Sequence, residues 1–171
     1  MYETGTSAIV VPVSDAEPAV GTWRARYDAS AAFGMPAHIT VLYPFLPEDR
    51  LTQSVVDRLK EICADSQAMD ILLRETRRFP RMLYLAPEPD DAFRRLTETV
   101  ARQWPEAPPY GGAYKDNIPH LTVAQDLSDD ELDDVDQAVT AALPINTRLT
   151  SASLYVFDGG RWRVRDVLPF G

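Results

Sequence analysis

Apolar positions along this chain recur in two rhythms, one of period two and one near 3.6. The β-branched run SAIVVPV, Ser7 to Val13, gives way to polar residues and predicts a first strand. Between Glu17 and Ala32, Val20, Trp23, Tyr27 and Ala31 recur every three to four residues and predict one helix. Gly34 and Pro36 end it, and HITVLYPF follows as a strand bounded by Pro44 and Pro47. Leu51, Val55, Leu59 and Ile62 form a stripe that predicts a helix over LTQSVVDRLKEICADSQA. MDILLRETRRF and RMLYLAPE predict two strands joined at Pro80.

The order then repeats. After RMLYLA, the segment DDAFRRLTETVARQW predicts a helix with Asp90 as its cap and Pro105 as its stop. IPHLTVAQ predicts a strand and SDDELDDVDQAVTAAL a helix. ASLYVF and RWRVRDVL predict a hairpin turning at Asp158-Gly159-Gly160. Both halves read strand, helix, strand, helix, strand, which implies an internal duplication: one domain, residues 1–171, of two pseudo-symmetric lobes. The long connection from Ala107 to Asn117, with PPYGGAY inside it, is expected to cover whatever lies between them.

Composition narrows the partners. The 171 residues carry a net charge of -9, too acidic for a long nucleic-acid footprint, which needs many Lys and Arg against phosphates. A small nucleotide or an RNA end needs only a few local groups. Cys63 is the single cysteine, so no intrachain disulfide forms and a reducing cytoplasm is the expected setting. Its place on a stripe with Leu59 and Ile62 marks it as a core thiol rather than a nucleophile. No signal-peptide pattern and no membrane-spanning run is visible, and a monomer is expected. The acidic run Asp129 to Asp136 reads as a solvated helix start capped by Ser128; a calcium loop would need alternating ligands around a central Gly.

The chain uses histidine twice, both times in one phrase: PAHITV at His38 and PHLTVA at His120. In a strand, residues i and i+2 share a face. His38 therefore stands beside Thr40, and His120 beside Thr122, with the intervening Ile39 and Leu121 turned to the core. A lone strand histidine is usually structural and a strand threonine usually reflects β-propensity; the repetition of the pair favours function. Two imidazoles can divide the work of opening a phosphodiester, one taking a proton from water and the other protonating the leaving oxygen. Threonine hydroxyls can donate to the non-bridging phosphate oxygens. A catalytic zinc site would want a third protein ligand, and neither histidine strand offers one in phase. No Gly-x-Ser-x-Gly setting for a nucleophilic serine is present.

With these two His-apolar-Thr motifs, HIT and HLT, and the flanks PAHITVLYPF and PHLTVA, the chain resembles the 2H phosphoesterases. It looks most like their bacterial 2'-5' RNA ligase-like branch, the RNA 2',3'-cyclic phosphodiesterases. The resemblance implies an α+β fold of two antiparallel-rich sheets flanked by helices, with a central cleft. It implies His38 and His120 as acid and base, Thr40 and Thr122 holding the phosphate, and Tyr43 lining the cleft to stack on a base. It implies no metal and no cofactor. Arg81, Lys115 and Arg148 are further possible contacts, fixed by no motif. The activity expected is metal-independent hydrolysis of 2',3'-cyclic phosphates of nucleotides or RNA ends. The alternatives are 2'-5' RNA ligation and a nucleotide-binding module with little turnover. The sequence leaves the acid and base interchangeable; the working assignment gives water activation to His120 and the leaving oxygen to His38.

Overall fold

In the computed structural model, which describes residues 1–171, eight strands and five α-helices follow one another. The first half holds β1 (Ser7–Pro12), α1 (Glu17–Tyr27), the single turn α2 (Ala29–Ala32), β2 (His38–Leu42), α3 (Gln53–Ala64) and β3 (Met69–Phe79). The second holds β4 (Met82–Glu88), α4 (Asp91–Gln103), β5 (Leu121–Gln125), α5 (Asp129–Thr140), β6 (Ile145–Leu149), β7 (Ser151–Phe157) and β8 (Trp162–Pro169). No helix is long and apolar enough to cross a membrane.

Three expectations need correction, each for a local reason. The single helix predicted over Glu17–Ala32 is broken at Asp28, whose backbone is extended at φ -128° and ψ 111°. The Asp28 carboxylate accepts the Ser30 N–H at 3.0 Å and so starts α2 afresh. Asp90 does not cap α4; its carboxylate is taken by Arg94 Nε at 3.0 Å instead. The strand β6 was not predicted, because INTRL has apolar residues only at its ends and owes its conformation to pairing with β3. Ser128 caps α5 as expected, in a capping box: its hydroxyl accepts the Glu131 N–H at 3.4 Å and its own N–H donates to Glu131 at 2.8 Å.

The strands form two four-stranded antiparallel sheets, in the orders β2-β1-β7-β8 and β5-β4-β3-β6. Each sheet thus has a histidine strand at one edge, paired with the strand that precedes it in the chain. The sheets are not contiguous halves of the sequence: β3 joins the second sheet, and β7 and β8 return to the first. The crossover helices are exchanged as well. Helix α1 leaves the first sheet and packs on β5 of the second, while α4 leaves the second and packs on β2 of the first. One apolar cluster of 38 buried residues therefore takes in Ile39 and Val41 behind β2 together with Leu121 and Val123 behind β5, making a single core.

Both histidine strands carry the same irregularity. Against β1, Thr40 pairs with Val10 and Leu42 with Ile9, leaving Val41 as an extra residue. Against β4, Thr122 pairs with Tyr84 and Ala124 with Leu83, leaving Val123 extra. A bulge of this kind reverses the strand's inside–outside phase beyond it. The residue five places after each histidine, Tyr43 or Gln125, is thereby brought to the same face as the histidine and threonine.

Candidate active site

The edge strands β2 and β5 lie against each other, and their polar faces enclose a cavity of about 220 Å³. His38, Thr40, His120 and Thr122 all line it, with Tyr43 and Gln125 beyond the two bulges. Tyr43 sits in an aromatic cluster: its ring meets Tyr2 edge-on at 6.4 Å and Trp162 at 6.3 Å. Tyr110 comes in from the long connection after α4. Its backbone sits in the left-handed region at φ 51°, and its N–H donates to the Tyr43 carbonyl oxygen at 2.6 Å. The expected cover is thus seated on the wall of the cavity, with the Tyr110 side chain next to Thr40.

The two imidazoles are held alike. Nδ1 of His38 lies 2.7 Å from the Pro36 carbonyl oxygen, and Nδ1 of His120 lies 2.7 Å from that of Ile118. A carbonyl oxygen only accepts, so each Nδ1 carries a proton and donates it. Nε2 is then the atom that titrates in both rings. The aromatic rings of Phe79 and Tyr84 stand edge-on to His120, with centroids at 5.4 and 5.7 Å.

Their electrostatic surroundings differ. Burial pushes His38 down to about 4, helped by the Arg24 guanidinium and only partly opposed by the Pro36 carbonyl and Asp28. Burial also lowers His120, against the opposing effect of the Ile118 carbonyl, and no cation adds to it. Arg24 and Asp28 form a buried ion pair at 3.1 Å, with Asp28 in the cavity wall. Arg24 further donates to the Met35 carbonyl oxygen and to Ser30, while Asp28 accepts from Ser30 and, at 3.2 Å, from Gln125. This last bond ties the end of α1 to β5 across the two sheets.

The cations singled out in the sequence lie elsewhere. Arg81, at the β3–β4 turn, donates to the Asp126 carbonyl oxygen at 2.8 Å. Arg148 pairs with Asp70 at 2.6 Å, and Lys115 is exposed; none of the three lines the cavity. Arg24, Asp28, Gln125 and Tyr110 were missed. Gln125 is out of phase with His120 under strict alternation, and only the bulge at Val123 restores it. No three side chains among His, Cys, Asp and Glu are grouped to hold a metal ion. Cys63, on the inner face of α3, is buried, and burial pushes its thiol up to about 12, as befits a core residue.

Comparison with known proteins converges on one group. Proteins of Bacillus licheniformis and Bacillus pumilus, both named provisionally as phosphoesterases, are 25% and 28% identical to this chain. The alignments cover 95% of this chain in each case, and 96% and 95% of those relatives. Among solved structures, Escherichia coli LigT in complex with 3'-AMP superposes with a TM-score of 0.61 at 16% identity, over 98% of this chain and 99% of that one. TT0787 of Thermus thermophilus gives 0.62 at 16% identity, over 96% and 97%. At such identities these two show the fold alone. The family described as the 2'-5' RNA ligase superfamily matches residues 11–161, nearly the whole chain and both histidine strands, and the protein belongs to that superfamily.

Proposed function

We propose that the protein is a phosphodiesterase that opens 2',3'-cyclic phosphates of nucleotides or RNA ends without a metal. The observation that carries this reading is the paired setting of the histidines. Two imidazoles, each anchored through Nδ1 to a carbonyl oxygen two residues earlier, share one small cavity with two threonine hydroxyls. In the reaction, one Nε2 takes a proton from water as its oxygen attacks phosphorus. The other Nε2–H protonates the departing ribose oxygen, and a phosphomonoester is left. Thr40 and Thr122 donate to the non-bridging oxygens, and Tyr43 lines the same cavity.

The base must be neutral and the acid protonated when substrate is bound. Burial and Arg24 both keep His38 neutral, so His38 is the ring that starts in the form a base needs. His120 lacks that cation, and a phosphate anion brought beside it favours its protonation. This reverses the working assignment drawn from the sequence. The names of related proteins agree with the class of reaction, and LigT structures hold 3'-AMP, ATP and NADP+, all nucleotides of small size.

The test is turnover of a nucleoside 2',3'-cyclic phosphate by the purified protein in excess chelator. Expected are hydrolysis to a monoester, a bell-shaped dependence of kcat on pH, and a loss of about 10²–10⁴-fold in kcat for His38→Ala or His120→Ala. Activity that vanishes in chelator and returns with zinc would assign the work to a metal-bound hydroxide. No turnover under either condition would leave a binding module.

A further inference from the structure

The segment PPYGG sets Tyr110 between Pro108-Pro109 and Gly111-Gly112. Pro108 extends the chain at φ -68° and ψ 146°, and Tyr110, Gly111 and Gly112 follow in left-handed backbone at φ 51°, 63° and 80°. Glycine takes that conformation freely, whereas tyrosine does so only where its surroundings hold it. We propose that Tyr110, held in this turn, is a positioning residue: its hydroxyl donates to the Thr40 hydroxyl and so turns the Thr40 proton onto the phosphate. This rests on the phosphodiesterase reading for what Thr40 holds.

The tyrosine is fixed on several sides. Its N–H donates to the Tyr43 carbonyl oxygen at 2.6 Å, which ties the turn to the chain just past β2. Its carbonyl oxygen accepts the Ala113 N–H at 3.2 Å and closes the turn behind it. The Tyr114 ring stands edge-on to its own at 5.7 Å. So held, the side chain lines the histidine cavity, and its hydroxyl comes within reach of the Thr40 hydroxyl.

A hydroxyl has one proton to give. If Thr40 gave its proton to Tyr110, none would be left for the phosphate. Burial pushes the Tyr110 phenol above its ordinary range, against the opposing effect of Thr40, so the phenol stays protonated and can be the donor. Thr40 then accepts that bond and keeps its own proton for an oxygen of the substrate. Hydrogen bonds in a chain polarise one another, so the phenol also strengthens the bond that Thr40 makes. The contact tightens when a bound phosphate gives Thr40 its acceptor.

Ser30, another hydroxyl in the cavity wall, is already engaged: it donates to Asp28 at 2.9 Å and accepts from Arg24 at 3.2 Å. Tyr110 has no such partner and is free to serve Thr40. The non-bridging oxygens gain charge on the way to the transition state. A Thr40 proton aimed in advance therefore acts on turnover more than on substrate affinity.

The test measures kcat and KM for adenosine 2',3'-cyclic phosphate in a double-variant cycle. Tyr110→Phe keeps the ring and the backbone bonds and removes only the hydroxyl; it is expected to lower kcat about tenfold with KM nearly unchanged. In the Thr40→Val background the same change should cost less than about twofold, because the hydroxyl it acts through is gone. In the Thr40→Ser background, which keeps a hydroxyl, the cost should again be about tenfold. An undiminished kcat in Tyr110→Phe overturns the proposal. So does an equal cost in the Thr40→Val background, which would mean a direct contact with substrate or an effect on the fold. If the native protein hydrolyses no cyclic phosphate, the phosphodiesterase reading fails, and calorimetric titration with inorganic phosphate decides for Tyr110. Weaker binding by Tyr110→Phe that disappears in the Thr40→Val background upholds the proposal; equal binding, or none by any of these proteins, overturns it.

Discussion

Charging His38 in the folded protein means placing a proton on a ring that burial and Arg24 both disfavour, which brings its pKa from 6.5 to about 4. The sign of the stability effect follows. Between those two values the unfolded chain binds the proton and the folded one does not, so stability rises with pH across the window and is lost as pH falls from about 6.5 to about 4. His120, lowered in the same direction, adds to the slope. The loss attributable to His38 is on the order of 2 kcal/mol, read as a fall in the urea midpoint over that window. His38→Asn should flatten the slope there and leave the steeper fall at lower pH, where carboxylates such as Asp158, held at about 2 by its turn amides and Arg163, begin to protonate. An unchanged slope in the variant would mean the ring is not held neutral. The two histidines and their threonines were legible in the sequence because strand periodicity puts them on one face. The environment that separates them was not: Arg24 reaches His38 only through the packing of α1, and a charged residue on a helix gives no sign of being buried.

At the scale of elements, the end of α1 does more than terminate a helix. Arg24 and Asp28 are 2% and 4% exposed, and between them they bind α2, the Met35 carbonyl and Gln125 of β5. Removing one member of a buried pair strands the other, so Asp28→Ala should cost about 3–5 kcal/mol in urea unfolding. Replacing both, as Arg24→Met with Asp28→Leu, should recover most of it; a double variant as unstable as the single one would show that the remaining hydrogen bonds, not the stranded charge, carry the effect. Most elements could be read from apolar periodicity, since β3, α3, α4 and the β7–β8 hairpin each have a clear rhythm and clear stops. Asp28 and β6 escaped because side-chain bonds and pairing with a distant strand decided them. The bulges at Val41 and Val123 escaped for a related reason. An extra residue is defined by the partner strand's register, so its outcome, Tyr43 and Gln125 on the histidine face, cannot be read from one strand alone.

For the whole molecule, the exchange of α1 and α4 between the sheets means that each histidine strand is covered from behind by a helix that starts from the other sheet. Unfolding should therefore be a single transition, with the fluorescence of Trp23, Trp104 and Trp162 changing together with far-ultraviolet circular dichroism. Two separated transitions would indicate lobes that fold independently. The sequence order suggested two successive halves; it could not show which sheet each helix covers, because that depends on contacts far apart along the chain. The exchanged helices also make the protein divisible in an unusual way. A break in the backbone at the exposed Gln67 leaves one piece with β1, α1, β2 and α3 and another with everything from β3 onward. Each piece keeps one histidine and one crossover helix, and each helix is the missing support of the other piece's histidine strand. Neither should be active or well folded alone, and mixing them should restore both properties at once. Fused to two interacting proteins, such halves would work as a complementation reporter whose signal requires that the halves meet.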